Sequence, residues 1–314
     1  MKERGQLDQH NIIWFKGEIM PQSEALINVM APTSQFGLNV FEGIRGYWSE
    51  ADSCLFIFRL SDHIDRLFQS CKLLNFDCKY SKKEIEGYVR DIVVAGNFTS
   101  DIALRCTLFV DGAGSWSSLD SPDLFISPIA KPRKDVQNLS GASAAISSWR
   151  RIDDNSMPPR VKTGANYVAG RYAHLEANRA GYDLPIFLNS SGKVAEGAGA
   201  CLFMVKNDTL VTPTLQSSVL ESITRDTLLK ITRELDLKVE VREIDRTELL
   251  LADEVFLCGS AAEVTPLTNI NGVTIGSGLP GKVTVRVLRA YHKLVSNNWK
   301  IPLSTSWLSR VPLR

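Results

Sequence analysis

Short apolar runs closed by glycine, proline or polar turns alternate along this chain with longer stretches whose apolar side chains recur every third or fourth position. The first pattern predicts strands and the second amphipathic helices. Ile12–Phe15, the turn Lys16-Gly17-Glu18 and Ile19-Met20 read as an opening hairpin. Leu55–Phe58 reads as a buried strand closed by Arg59. In the helix after it, with Ser61 as the cap, Ile64, Leu67, Phe68, Cys71 and Leu74 share one stripe. A second helix is predicted near Lys83–Ala95, then a strand over Ala103–Val110. Asp111–Asp120 and the proline-broken, basic Ser127–Asp135 read as surface connections, the latter as the domain linker.

The second half opens with a strand at Ala144–Trp149. A helix capped by Asn166 ends at Arg179-Ala180-Gly181. Ile186–Leu188 and Lys193–Glu196 form a hairpin, and Leu202–Val205 pairs with Leu210–Thr212. A helix opening near Ile223 turns Leu228, Ile231 and Leu235 inward, and Val255–Gly259 is a further buried strand.

Composition narrows the function classes. With 44% hydrophobic and 23% charged residues, 314 residues supply core enough for about two domains. A net charge of +1 points to neither nucleic acid nor an acidic membrane surface. The polar start Met1–Gly5 lacks an apolar leader core, and no apolar run reaches the roughly 20 residues of a membrane span. Six scattered cysteines without C-x-x-C, beside four histidines, argue against a metal site and for reduced thiols in a cytoplasm.

Candidate chemistry centres on Lys162, in Val161-Lys162-Thr163-Gly164. An amine kept among apolar and small residues becomes a nucleophile able to form Schiff bases, with pyridoxal phosphate above all. Arg59, at a strand end, has the planar fork that suits a phosphate; Asp62, Asp65 and Glu50 are its alternative partners. Arg105, in mid-strand, needs an anion such as a substrate carboxylate, or an acidic partner. Tyr167 can reach a cofactor ring oxygen or pack in the core. Glu196, before the small residues Gly197–Ala200, can face a pyridine nitrogen or stand in water at a hairpin end. The N–H groups of Ile223 and Thr224, and the turn Gly259–Ala262, can cradle an anion. Gly276-Ser277-Gly278-Leu279-Pro280-Gly281-Lys282 matches a phosphate-loop spacing, but Val283 stands where a hydroxyl should hold magnesium.

Together, Val40–Arg45, Lys162-x-x-x-Asn166-Tyr167, Glu196–Gly199, Ile223–Asp226 and Leu251–Phe256 resemble, in order and spacing, the motifs of the class IV (fold type IV) pyridoxal-phosphate aminotransferases. Among these, the branched-chain amino acid aminotransferases are most similar. The resemblance covers about Ile13 to Leu294. It implies a two-domain α/β fold, with a small N-terminal domain over residues 1–130, an interdomain loop at 131–140 and a larger pseudo-barrel domain over 141–314. It implies a homodimer, with sites between domains and near the dimer interface.

The same resemblance implies that Lys162 forms the Schiff base and shuttles the proton. Arg59, Tyr167, Glu196, Ile223, Thr224 and Ser260 would hold pyridoxal 5'-phosphate, and Phe36, Phe41, Arg105, Ser260 and Ala261 would meet the substrate. The reaction it implies exchanges an amino group between an aliphatic L-amino acid and a 2-oxo acid such as 2-oxoglutarate. A D-amino acid aminotransferase, an aminodeoxychorismate lyase or a specialised biosynthetic transaminase of the same fold is the alternative.

The sequence departs from the family pattern where substrate is chosen. Phe36 and Ala103 replace expected tyrosines, Ala200 replaces a common glutamate and Cys201 an asparagine, and Ile129–Arg133 lacks the usual aromatics. Each lost phenol removes a donor worth about 1.5–3 kcal/mol against a charged acceptor.

Overall fold

The computed structural model describes residues 11–302 and 304–313; the polar start at Met1–Gly5 lies outside them. The chain divides into two compact units. The first holds residues 1–133, 161–165 and 295–314, and the second 134–160 and 166–294. The later chain thus returns twice to the first unit, where the sequence places a single cut at 131–140.

In chain order the elements are β1 (Ile12–Phe15), β2 (Glu18–Pro21), α1 (Pro32–Phe36), β3 (Asn39–Ser49), β4 (Cys54–Phe58), α2 (Leu60–Leu73), α3 (Lys82–Gly96), β5 (Ile102–Phe109) and β6 (Asp123–Ala130). There follow β7 (Ala142–Arg150), α4 (Tyr167–Arg179), β8 (Leu184–Leu188), β9 (Val194–Gly197), β10 (Cys201–Lys206), β11 (Thr209–Thr212), α5 (Ile223–Glu234) and β12 (Lys238–Val241). The last are α6 (Arg246–Leu250), β13 (Glu254–Gly259), β14 (Glu263–Ile270), β15 (Val273–Thr274), α7 (Lys282–Val295) and β16 (Leu308–Pro312).

The first unit is an antiparallel sheet in the order β16-β4-β3-β5-β6-β1-β2. Strand alternation puts Val40, Ile44, Leu55, Ile57, Leu104 and Leu108 on one face, buried with Ile64 and Leu67 of α2 and Val89 of α3. A reciprocal capping box between Ser81 and Glu84 starts α3. The cap of α2 is not Ser61: Arg59 takes that place at φ +52°, and Ser61 inside the helix donates to Glu86. Leu74, expected on the inward stripe, follows the helix end and is 37% exposed.

Residues 127–130, expected in a surface connection, belong to β6. Pro128 sits opposite Leu104, beyond the last residue at which β6 pairs with β1, so its missing N–H faces an edge.

In the second unit β10-β13-β14-β7-β8-β9 closes on itself through the pairing of Cys201 with Glu196, giving a six-stranded ring extended by β11 and β12. Three of its neighbours in that run are parallel (β14 with β7, β7 with β8, β11 with β12), and the rest antiparallel. Its interior is apolar, with Ile186, Val194, Leu202, Met204, Val255 and Leu257. Ser222 caps α5 through its side chain, whereas Asn166 precedes α4 without capping it and donates to Pro158 O instead. Among the described residues no helix is long and apolar enough to cross a membrane.

Candidate active site

Lys162 lies in a short segment laid against β3. Its carbonyl accepts the Phe41 N–H at 2.9 Å, its own N–H donates to Ser70 Oγ at 3.1 Å, and Val40 bridges Thr163. Val161 is buried in the first unit's core. The amine is therefore carried on a backbone fixed from two sides, with Nζ 4.9 Å from the centre of the Phe41 ring. The Arg105 guanidinium lies 4.2 Å from the same ring. Arg105, read as inward-pointing, is on the exposed side of β5.

A cavity of about 310 Å³ opens on this face, with Ile27, Phe41, Arg105, Thr107, Phe109 and Phe125 among its walls. Sequence reasoning singled out Phe41 and Arg105; the other four share their face through strand alternation or chain return. Phe36, at the end of α1, is 41% exposed.

Arg59 is buried at the end of β4. Its fork engages Asp62, Nε at 3.0 Å and Nη2 at 2.8 Å, and its guanidinium stacks 4.5 Å over Trp307, whose carbonyl accepts the Arg59 N–H. Of the partners considered from sequence, Asp62 takes the fork.

Beneath β3 lies a cluster that sequence reasoning missed. Glu42 is fully buried and accepts from Arg66 Nε at 2.8 Å and Nη2 at 2.7 Å, while His63 Nδ1 stands 2.6 Å from Oε2. Burial would raise the Glu42 carboxyl, but the Arg66 ion pair and the bonds from Arg66 and His63 hold it far below the usual carboxylate range. Burial pushes His63 down; Glu42 opposes this, and the nearby charges of Arg66 and Lys162 add to it. The signal was present in the strand: Glu42 alternates with Val40 and Ile44, so it faces the core.

In the second unit, Glu196 is 4% exposed rather than a solvated hairpin end. Arg151 reaches its Oε1 through Nε at 2.8 Å and Nη2 at 2.7 Å. Its Oε2 faces the Leu220 N–H at 3.3 Å and the Cys201 thiol at 3.5 Å. Burial first, and then the Glu196 carboxylate, pushes the Cys201 thiol well above its usual value, so it stays a donor where the family has an amide.

Tyr167 opens α4, and a side chain added at Gly199 would touch its ring at 3.6 Å. Gly259, at the end of β13, abuts Gly199 O and Ala200, and Ser260 and Ala261 follow it in the turn. Ile223 and Thr224 are the first two residues of α5, where backbone N–H groups point outward from the helix start. One end of the ring thus gathers Tyr167, Glu196, the small residues 197–200, the start of α5 and the turn after Gly259. This set fits a pyridine ring bearing a phosphate: a buried carboxylate, a flat space kept open by glycine and helix N–H groups for an anion.

The phosphate-loop spacing at Gly276–Lys282 does not make such a place. Glu254 accepts from Val283 N at 2.9 Å and Thr284 N at 2.8 Å, so a carboxylate already fills the first turn of α7. Among the described residues no group of three or more His, Cys, Asp or Glu could hold a metal ion.

Comparison with known proteins agrees with this geometry. Residues 39–270 match the family model of amino-transferase class IV. A probable branched-chain-amino-acid aminotransferase of Aquifex aeolicus is 38% identical over 303 residues, covering 95% of this chain and 96% of its own. The branched-chain-amino-acid aminotransferase of Escherichia coli K12 is 36% identical over 304 residues, covering 95% and 97%. The crystal structure of the Thermobaculum terrenum branched-chain amino acid aminotransferase in its PLP form superposes with a TM-score of 0.90, at 37% identity over 97% of this chain and 99% of that one.

Proposed function

This chain belongs to the class IV aminotransferases, and on that premise we propose that it moves an amino group between an aliphatic, branched-chain-like L-amino acid and a 2-oxo acid such as 2-oxoglutarate, with pyridoxal 5'-phosphate as its cofactor. The observation that carries this reading is Lys162, a lysine whose backbone is bonded on both its N–H and C=O sides and whose amine lies beside Phe41.

When bound, pyridoxal phosphate supplies an electron-withdrawing ring that stabilises negative charge at the substrate α-carbon. Lys162 Nζ is the nucleophile and the base that accepts the α-proton and returns it. Glu196, steadied by Arg151, would present its carboxylate to the ring nitrogen, and Tyr167 would offer its phenol to the ring oxygen. Arg59, the N–H groups of Ile223 and Thr224, and Ser260 would hold the phosphate. Arg105 meets a substrate carboxylate, with Ser260 and Ala261 supplying backbone donors. Phe41 and Phe36 give the side chain apolar walls.

We place the enzyme in the cytoplasm as a homodimer. Exposed Leu26, Val29, Met30, Trp116 and Leu119 support self-association; the two segments carrying them meet where Gly114 approaches Pro32. The loss of a phenol at Ala103, beside Arg105, keeps the D-amino acid aminotransferases of this fold as a second reading. A panel of L- and D-amino acids, each followed by absorbance change in the half-reaction and by glutamate formed from 2-oxoglutarate, tests both. Turnover of L-leucine, L-isoleucine and L-valine is expected; turnover of D-amino acids alone would replace the proposal with the second reading.

A further inference from the structure

The face of α2 that looks toward β3 carries His63, Arg66 and Ser70, spaced three and four apart and so aligned along the helix. The first two grip Glu42, and the third accepts the N–H of Lys162 at 3.1 Å. Glu42 follows Phe41, which donates its own N–H to the Lys162 carbonyl and presents its ring to Nζ. One helix face therefore fixes both strands of backbone that flank the amine.

We propose that Glu42, His63, Arg66 and Ser70 form a mount for Lys162, acting as positioning residues that hold its backbone still while the amine works. This rests on the reading of Lys162 as the reactive amine. A buried, hydrogen-bonded ion-pair cluster resists shear between helix and strand, because sliding either would leave a charge without a partner in a dry interior. A plain apolar contact would hold the two elements together but would not fix their register. Ser70 is 1% exposed, and its hydroxyl is held against the lysine backbone.

The test uses full-length protein reconstituted with pyridoxal phosphate, as wild type, Ser70→Ala, Ser70→Thr and Glu42→Gln. Wild type is checked first for a visible band that borohydride abolishes; without that band it is the reading of Lys162 that fails. The variants are then compared with wild type by single-turnover rate at saturating L-leucine, by the substrate concentration giving half that rate, and by the pH midpoint of the band. Apo-protein melting separates stability from positioning. Ser70→Ala is expected to slow the saturated rate about tenfold and to leave the half-saturating concentration within about twofold, because misplacement of a reacting group costs rate rather than binding. The band midpoint is expected to move by about half a pH unit or more. Ser70→Thr, which keeps the hydroxyl, restores both, and Glu42→Gln shifts them in the same direction. Should Glu42→Gln fail to fold, the two Ser70 variants decide. A Ser70→Ala protein with wild-type rate and midpoint, whatever its melting temperature, would overturn the proposal.

Discussion

Arg151 and Glu196 meet 45 residues apart in sequence, with both Nε and Nη2 of the guanidinium on a single carboxylate oxygen at 2.8 and 2.7 Å. The other oxygen faces the Leu220 N–H at 3.3 Å and a thiol at 3.5 Å, both longer contacts. The guanidinium orients the carboxylate and balances its charge, leaving one oxygen lightly bonded. That is the arrangement a carboxylate needs to accept a further donor.

Arg151→Met should therefore weaken cofactor binding. A hydrogen bond to a charged group contributes about 1.5–3 kcal/mol, so the dissociation constant for pyridoxal phosphate should rise roughly ten- to a hundredfold. Titration of apo protein by absorbance measures it. Unchanged affinity would mean that Arg151 only fills space beside Glu196.

Stability should fall with acid in two steps. Folding lowers both the Glu42 carboxyl and the His63 imidazole. Each contribution is complete above the unfolded-state value and is lost as pH falls below it, beginning near 6.5 for His63 and near 4.5 for Glu42. Melting curves of wild type and His63→Asn between about pH 7.5 and pH 5 isolate the first step. The wild-type melting temperature should drop more steeply than the variant's; parallel curves would remove His63 from the account.

Much of the fold was legible in the chain because its signals are local. The opening hairpin, the start of α5 and the strand ending at Gly259 follow from apolar periodicity and turn chemistry within a few residues. What failed depended on distant chain. Ser61 looks like a cap, yet the helix begins two residues earlier than that cap would set it, because Arg59 turns left-handed beside Trp307. Pro128 looks like a linker, yet pairing with β5 makes it strand. Nothing near residues 295–314 announces that β16 will pair with β4. Of the candidate site residues, Lys162, Arg59 and Glu196 stand out by residue type and place. Arg151 could not, since its meaning lies in a partner on another strand. Glu42 could have been found from its alternation with Val40 and Ile44.

Ala103 stands between Arg45 and Ile129 on neighbouring strands, two residues from Arg105 on the same face. Restoring a phenol there should strengthen the hold on a substrate carboxylate. Ala103→Tyr is expected to raise kcat/KM for L-leucine about tenfold, the lower end of what one charged hydrogen bond supplies. No change in kcat/KM would take position 103 out of substrate recognition.

Glu254 should matter to folding and not to ligands. It caps the first turn of α7 through two N–H groups and the Thr284 hydroxyl. Glu254→Ala is expected to cost about 1–2 kcal/mol by denaturant unfolding, as for other lost caps. Magnesium-ATP should bind neither protein, by calorimetry; binding to wild type would revive a nucleotide role for Gly276–Lys282.

The central claim is that the amine at residue 162 joins the cofactor. Borohydride reduction of the reconstituted protein, followed by digestion and mass mapping, tests it most directly. The phosphopyridoxyl group should be found on the peptide containing Lys162 and be absent from Lys162→Ala. A label on any other lysine, or none in a protein that still turns over, would contradict it.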